Sequence, residues 1–393
     1  MIFNALEIGL LVTIIICFII QLLYYWMILA KPYFYMRSQG EDDFETPMNN
    51  LPPVSIIISV IKSNYDLSKF LTNILEQNYP EFEVIVVADR IYDDDAEVLK
   101  QLKTKYPNLY STHVPEDTRN VSRKKLALTL GIKASKYDKL LFTEPDCYVK
   151  TEYWIRSMSR NFSDKKNIIL GVSAVEKTEN TLQQYFAYDF FLSNLQMISL
   201  ALMDRPYAGD GRNLAYSKKH FIEQKGFVKH RLLQKGEDDL FVNEIATKEN
   251  TSVELSVNSI VITEINDYRD WKRQKVDRMS TKRFYKRGPV ALWRFETFIR
   301  IVFYIAIIAC IVCSFPYNSI SNYILTGVAL LCFTVRLFSH FFVINKTLEY
   351  FKLDTIKLKL ILFDFFQPYI NLYFFIYLLF REKENYTYRY ENR

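Results

Sequence analysis

Acidic residues in short, punctuated clusters are the first candidates for chemistry. Glu144-Pro145-Asp146 follows an apolar run ending at Thr143. Two acids one residue apart, in a loop after a buried strand, can converge on one hard cation. Mg²⁺ and Mn²⁺ take oxygen ligands and share them with substrate phosphates. Gly236-Glu237-Asp238-Asp239-Leu240 opens an apolar segment. One carboxylate suffices to complement a helix N-terminus. Three together raise one another's pKa, which suits a general base. Asp89 ends the run Glu83–Ala88, where it can accept hydrogen bonds from a nucleobase or ribose, or serve as a turn or cap acid. Gly209-Asp210-Gly211-Arg212-Asn213 reads as a loop, either a plain turn or a place where backbone amides approach a ligand. Arg123-Lys124-Lys125 offers cations to phosphate, or a solvated helix face. The four histidines are scattered, and neither HExxH nor GxxxxGK[ST] occurs. This pattern disfavours zinc hydrolases and P-loop nucleotide hydrolases.

These residues need positioning elements. Val54–Val60, Glu83–Ala88 and Lys139–Thr143 read as buried strands. Helical patterns run over Leu67–Gln77, Asp93–Tyr106 and Ser122–Ala134. The alternation predicts an α/β fold with a doubly wound, mostly parallel sheet. Ligands of such sheets bind beyond the carboxyl ends of the strands. Asp89 and Glu144-Pro145-Asp146 stand at two such ends.

The 393 residues suffice for two moderate domains, or for one domain and a membrane part. Half are hydrophobic, which excludes low-complexity disorder, while 24% are charged, too many for a wholly embedded chain. Ile8–Ala30 is an uncharged run of 23 residues, long enough to span a bilayer. A signal peptide would carry a basic start, a shorter apolar run and a small-residue cleavage site; a retained anchor is expected. Ile301–Pro316 is a second candidate span. Tyr323–Ile344 carries Arg336 and His340, and Leu360–Phe380 carries Asp364, Gln367, Pro368 and Asn371. Such groups must face protein or water, so the last run is expected either to span or to be re-entrant. Trp271–Arg294 holds nine Lys/Arg and one acid, a local charge of +8 in a chain of +6. Placed just before an apolar run, it points to a membrane surface rather than to nucleic acid. Four of the five cysteines lie in apolar runs, so no disulfide framework is expected. Basic flanks place the globular part in the cytoplasm and the N-terminus outside.

In order along the chain stand Gln77-Asn78-Tyr79-Pro80, Phe82–Val87, Ser122–Leu128, Leu141–Cys147, Gly211–Tyr216 and Gly236–Asn243. Together they resemble the membrane-bound family-2 glycosyltransferases over about Val54 to Lys286. The resemblance implies a Rossmann-like GT-A domain (51–270) in the cytoplasm. Around it come an N-terminal anchor (1–30), a basic interfacial segment (271–300), two to three C-terminal transmembrane helices (301–380) and a polar tail (381–393). It implies Asp238 as catalytic base and Asp89, Lys124, Glu144 and Asp146 on the donor side. Asp146 and Glu144 would hold Mg²⁺ or Mn²⁺. Gly211, Asn213, Glu237, Gln274 and Arg278 would lie on the acceptor and diphosphate side.

The implied reaction moves one sugar, with inversion, from a nucleotide-diphosphate sugar (a UDP-sugar is favoured) to a hydroxyl of a lipid-linked or glycan acceptor. Membrane lipids are the other expected partners. Few glycines among many Lys, Ile and Asn fit an AT-rich bacterial gene and an inner-membrane protein. Gln274 and Arg278 lack the spacing and the tryptophan of the processive Gln-x-x-Arg-Trp motif, which favours single transfer over a processive synthase. An inactive nucleotide-sugar-binding scaffold is the other alternative, motivated by Ile61-Lys62-Ser63 after the first strand and by Glu-Pro-Asp in place of Asp-x-Asp.

Overall fold

Every residue of Val54–Val60 is buried, as three consecutive isoleucines and two flanking valines favour in a strand covered on both faces. This strand anchors the larger of two units in a computed structural model that describes residues 5–39, 50–61, 66–89, 93–115, 122–176, 178–314 and 319–380. Lys62 and Ser63, and the tail 381–393, lie outside the described residues. One unit comprises Met1–Ser38 with Lys286–Tyr377, the other Gln39–Tyr285 with Leu378–Arg393.

In chain order, α1 (Ala5–Leu23) and α2 (Lys31–Gln39) precede β1 (Val54–Val60), α3 (Leu67–Leu75), β2 (Phe82–Ala88), α4 (Asp93–Lys105) and β3 (Leu109–His113). Next come α5 (Arg123–Ala134), β4 (Lys139–Thr143), β5 (Cys147–Val149), α6 (Trp154–Ser159), β6 (Ile168–Leu170), β7 (Ser173–Val175) and α7 (Thr181–Ala201). β8 (Leu214–Ser217), α8 (Lys218–Glu223), α9 (Asp239–Ile245), β9 (Thr251–Val253), β10 (Val261–Thr263) and α10 (Tyr268–Thr281) complete the α/β unit. α11 (Arg287–Ser314), α12 (Ile320–Tyr350) and α13 (Leu360–Phe380) follow.

The main sheet runs β3-β2-β1-β4-β8-β6-β9. Strands β3, β2, β1 and β4 are mutually parallel, and β8 pairs antiparallel with both β4 and β6. The expected mostly parallel sheet is therefore present. A second sheet, β5-β10-β7, carries the three-residue strand that follows Asp146. Helix starts are set by side-chain caps: Asp66 accepts from Lys69 N at the head of α3, and Ser122 from Lys125 N at the head of α5.

The basic segment expected over 271–300 is divided. Tyr268–Thr281 is a helix within the α/β unit, because Asp189 on α7 captures two of its side chains: Lys275 Nζ at 2.5 Å and Trp271 Nε1 at 3.2 Å. The unit boundary falls at Tyr285/Lys286.

In the other unit, four helices are long and apolar enough to cross a membrane: Ala5–Gln39, Arg287–Ser314, Ile320–Tyr350 and Lys357–Phe380. The last stays helical through Pro368. The ionisable residues expected to face protein do so. Asp364 is wholly buried, and Arg336 donates to both its carboxylate oxygens. Arg300 Nη1 lies 3.3 Å from Asp364 and Nη2 lies 2.6 Å from Glu296. His340 Nδ1 is 3.2 Å from Asp364, and Gln21 accepts from Arg336 Nε at 2.8 Å. Two guanidinia thus face two carboxylates, and four helices meet in one polar knot. Removing one member strands a buried charge. Asp364→Leu is expected to destabilise the detergent-solubilised chain by about 3–5 kcal/mol. Asp364→Leu with Arg336→Leu should lose less, as read from melting temperatures of the single and double variants.

Candidate active site

Sheet register brings the candidate residues to one edge. In the parallel half, Val60 pairs with Ala88 and Ile58 with Thr143, so Asp89 and Glu144 both leave the carboxyl ends of their strands. Because β8 runs antiparallel to β4, its start lies at the same edge, with Leu214 opposite Phe142. The 209–213 loop therefore meets Glu144-Pro145-Asp146. The small sheet fixes the second acid: Thr263 pairs with Cys147, and its hydroxyl lies within 3.3–3.4 Å of the Asp146 carbonyl and carboxylate.

Successive cations at the head of α5 do three different jobs. Arg123 pairs with Asp89 and also donates to Pro115 O at 2.9 Å. Lys124 Nζ bridges Glu144 and Glu237, at 2.7 Å to each. Lys125 turns inward and donates to the carbonyls of His230, Leu233 and Lys235 at 2.7–2.9 Å. Burial lowers its pKa to about 8. It shapes the loop that leads into Gly236, whose φ of +101° requires glycine.

Beyond Gly236 the three acids diverge. Glu237 stays ionised, because Lys124 outweighs the upward push of its burial. Asp239 is a structural anchor that accepts from Tyr285 OH at 2.6 Å and from Thr281. Asp238 accepts Gly211 N–H at 2.8 Å and Asp239 N–H at 2.7 Å. Burial, then the charges of Asp239 and Glu237, nonetheless raise its pKa to about 7. A Cβ at Gly211 would come within 3.1 Å of the Asp238 carboxylate, so glycine permits this approach. Glu144 is the opposite case: burial pushes its pKa up, but Lys124 and Arg212 bring it down to about 2.

A cleft of ≈ 140 Å³ is lined by Lys124, Glu144, Glu237, Asp238, Gln274 and Arg278. Gly211 lines a small adjoining cavity with Glu144 and Asp238. Asp89 and Asp146 are not among the residues lining either space; Arg123 holds Asp89 at the end of β2. Asn213 is placed differently from a ligand contact. It is wholly buried, donates to Val172 O and Ser259 O at 2.8 Å each, and accepts from Trp154 Nε1 at 3.1 Å. Both of its N–H donors are used, and its side chain fixes the loop to the strands and turns beneath. Arg212, between Gly211 and Asn213, had no assigned role from sequence. Its guanidinium lies 3.4 Å from Asp146, 3.7 Å from Glu144 and 3.5 Å from Asp210. Arg212 and Arg278 both pack on the Phe190 ring, at 5.5 and 4.9 Å from its centroid. A lone cation beside an acid in a glycine-flanked loop was the available signal.

Among the described residues, no group of three His, Cys, Asp or Glu could hold a metal alone. Glu144 and Asp146 still fit Mg²⁺ or Mn²⁺ by donor chemistry, because such ions are held by one or two carboxylates together with substrate phosphates.

Lys125→Met would leave three loop carbonyls without their shared donor. A stability loss of at least about 2 kcal/mol is expected. Hydrogen exchange at residues 230–236 should accelerate before the rest of the α/β unit; unchanged exchange there would refute the anchoring role.

The chain is 30% identical over 120 residues to a poly(ribitol-phosphate) β-glucosyltransferase of Bacillus spizizenii, a match covering 30% of this chain and 18% of that protein. It is 32% identical over 113 residues to the glycosyltransferase AglE of Haloferax volcanii, covering 28% and 36%. The chain thus matches well under half the length of these relatives. Among solved structures, the mannosyltransferase PcManGT of Pyrobaculum calidifontis, in complex with GDP-Man and Mn²⁺, superposes with a TM-score of 0.53 over 88% of this chain and 98% of its own. At 15% identity, that likeness establishes the fold alone. The profile of glycosyl transferase family 21 matches residues 10–383, almost the whole chain, so the protein belongs to that family.

Proposed function

We propose that the chain is a membrane-bound, inverting glycosyltransferase that moves one sugar from a nucleoside diphosphate sugar to a hydroxyl of a lipid-linked or glycan acceptor. The observation that carries this reading is Asp238. It lines the cleft, two backbone amides orient its carboxylate, and its pKa of about 7 suits a general base at neutral pH. In this reading Asp238 takes the acceptor hydroxyl proton as the oxygen attacks the anomeric carbon and the bond to the diphosphate breaks.

Lys124 and Arg212 hold the carboxylates of the donor side, and Arg278 supplies a further cation across the cleft. Glu144 and Asp146 would hold Mg²⁺ or Mn²⁺, which supplies charge neutralisation at the leaving diphosphate. Asp89, beside Arg123, is proposed for the nucleoside end. A UDP-sugar is the first donor to test. GDP-mannose is the second, because PcManGT was solved with it. The four apolar helices and the basic residues Lys286, Arg287 and Arg294 support attachment to a membrane, with the α/β unit on its cytoplasmic face.

Asp238→Asn should spare donor binding and reduce transfer by about 10²-fold or more. Asp146→Asn should weaken donor binding. The wild-type rate should climb with pH through about 7, where Asp238 loses its proton. The same group acts oppositely on stability. Its folded pKa lies above the ordinary carboxylate value, so its favourable contribution is complete at low pH and is lost as pH rises through about 7. Melting temperature against pH should flatten in Asp238→Asn. Full activity in that variant would remove the assignment.

A further inference from the structure

Glu144 and Asp146 turn toward a cation that belongs to the chain itself. Arg212 Nη2 stands 3.7 Å from Glu144 Oε2 and 3.4 Å from Asp146 Oδ2, and Nη1 stands 3.5 Å from Asp210 Oδ1. A charge-assisted hydrogen bond that is fully made is shorter, about 2.7–2.9 Å. Lys124 meets that standard twice in the same cleft, at 2.7 Å. Arg212 is therefore shared loosely among three carboxylates, with none of them holding it in a bidentate grip. Its Nε is buried without an acceptor, and Asp210 Oδ2 without a donor.

Charge decides what else the place can take. Glu144, Asp146, Asp210 and Glu237 contribute four negative charges, and Lys124, Arg212 and Arg278 return three positive ones. A divalent cation added to that set overcompensates it and competes with Arg212 for the same two carboxylates in a half-buried site. The surplus disappears when a diphosphate enters with the ion. A guanidinium is well suited to accept that diphosphate, because its planar fork matches phosphate oxygens. Asp210, two residues away and also 3.7 Å from Arg278, keeps hold of Arg212 while its other hydrogen bonds change.

We propose that Arg212 is an exchangeable counter-ion. It holds the Glu144–Asp146 pair while the cleft lacks donor and transfers to the donor's diphosphate, so that divalent-cation binding depends on nucleotide binding. The proposal rests on the nucleoside diphosphate reading above and adds an order to it. By linkage, each ligand strengthens the other by the same factor.

The test uses the full chain in detergent and Mn²⁺ titrations followed by electron paramagnetic resonance, with and without UDP or GDP. Wild type should bind Mn²⁺ alone weakly, and one of the nucleotides should tighten it by about tenfold or more. Arg212→Gln should bind Mn²⁺ alone about tenfold better than wild type and lose most of the coupling. Arg212→Lys, which keeps the charge, should stay near wild type for Mn²⁺ alone and serves if the glutamine variant does not fold. Equal affinity for Mn²⁺ alone in wild type and Arg212→Gln overturns the proposal. Failure of wild type to bind either nucleotide is a separate result: it removes the functional reading, while the comparison with Mn²⁺ alone still decides the role of Arg212.

Discussion

Five carboxylates, Glu144, Asp146, Asp210, Glu237 and Asp238, crowd one edge of the sheet, and they can do so only because cations are threaded between them. Lys124 lies between Glu144 and Glu237, and Arg212 among Glu144, Asp146 and Asp210. Without these charges, mutual repulsion and burial would drive several of the acids to take up protons. With them, the cleft holds two carboxylates of opposite character a short distance apart. Glu144 is firmly ionised, and Asp238, with only backbone amides as donors, is poised near neutrality. A firmly ionised carboxylate and a potential proton acceptor thus coexist in one cleft.

The fold serves that arrangement through direction. Parallel strands deliver Asp89 and Glu144 from their carboxyl ends, but the 209–213 loop precedes its strand. Only the antiparallel insertion of β8 beside β4 brings it to the same edge. The second sheet holds Asp146 by Thr263. Trp154, Val172 and Ser259 converge on the Asn213 amide and set the height of the loop from below.

Much of this was legible in the sequence wherever a pattern spans several residues. Val54–Val60 and Lys139–Thr143 appear with the ends their apolar runs suggested, and the helical pattern from Ser122 to Ala134 appears as α5. Asp89 and Glu144 stand at strand ends, as their positions after apolar runs suggested. What escaped were facts about pairs far apart in the chain. Nothing local marks Lys125 as a core residue while its neighbour Lys124 faces the cleft; the acceptors lie more than a hundred residues away. Nothing local shows that Trp154, Val172 and Ser259 hold the Asn213 side chain. Nothing in the composition of the 271–285 segment reveals that Asp189 holds Lys275 and Trp271. Strands of three residues, such as β5 and β10, carry too little alternation to be recognised, yet they aim Asp146.

The Lys125 staple has an evolutionary corollary. Its three acceptors are main-chain carbonyls at 230, 233 and 235, and every amino acid supplies one. At these three points the path of the loop is specified by the main chain, while the buried side chains of His230 and Leu233 hold it as well. Arg231, Leu232 and Gln234 project to solvent and are released from structural duty. Length is the quantity under constraint: one residue gained or lost would put the wrong carbonyl at the ammonium. Such a segment can diversify its exposed surface freely within a fixed frame, while the acids that follow Gly236 keep their places.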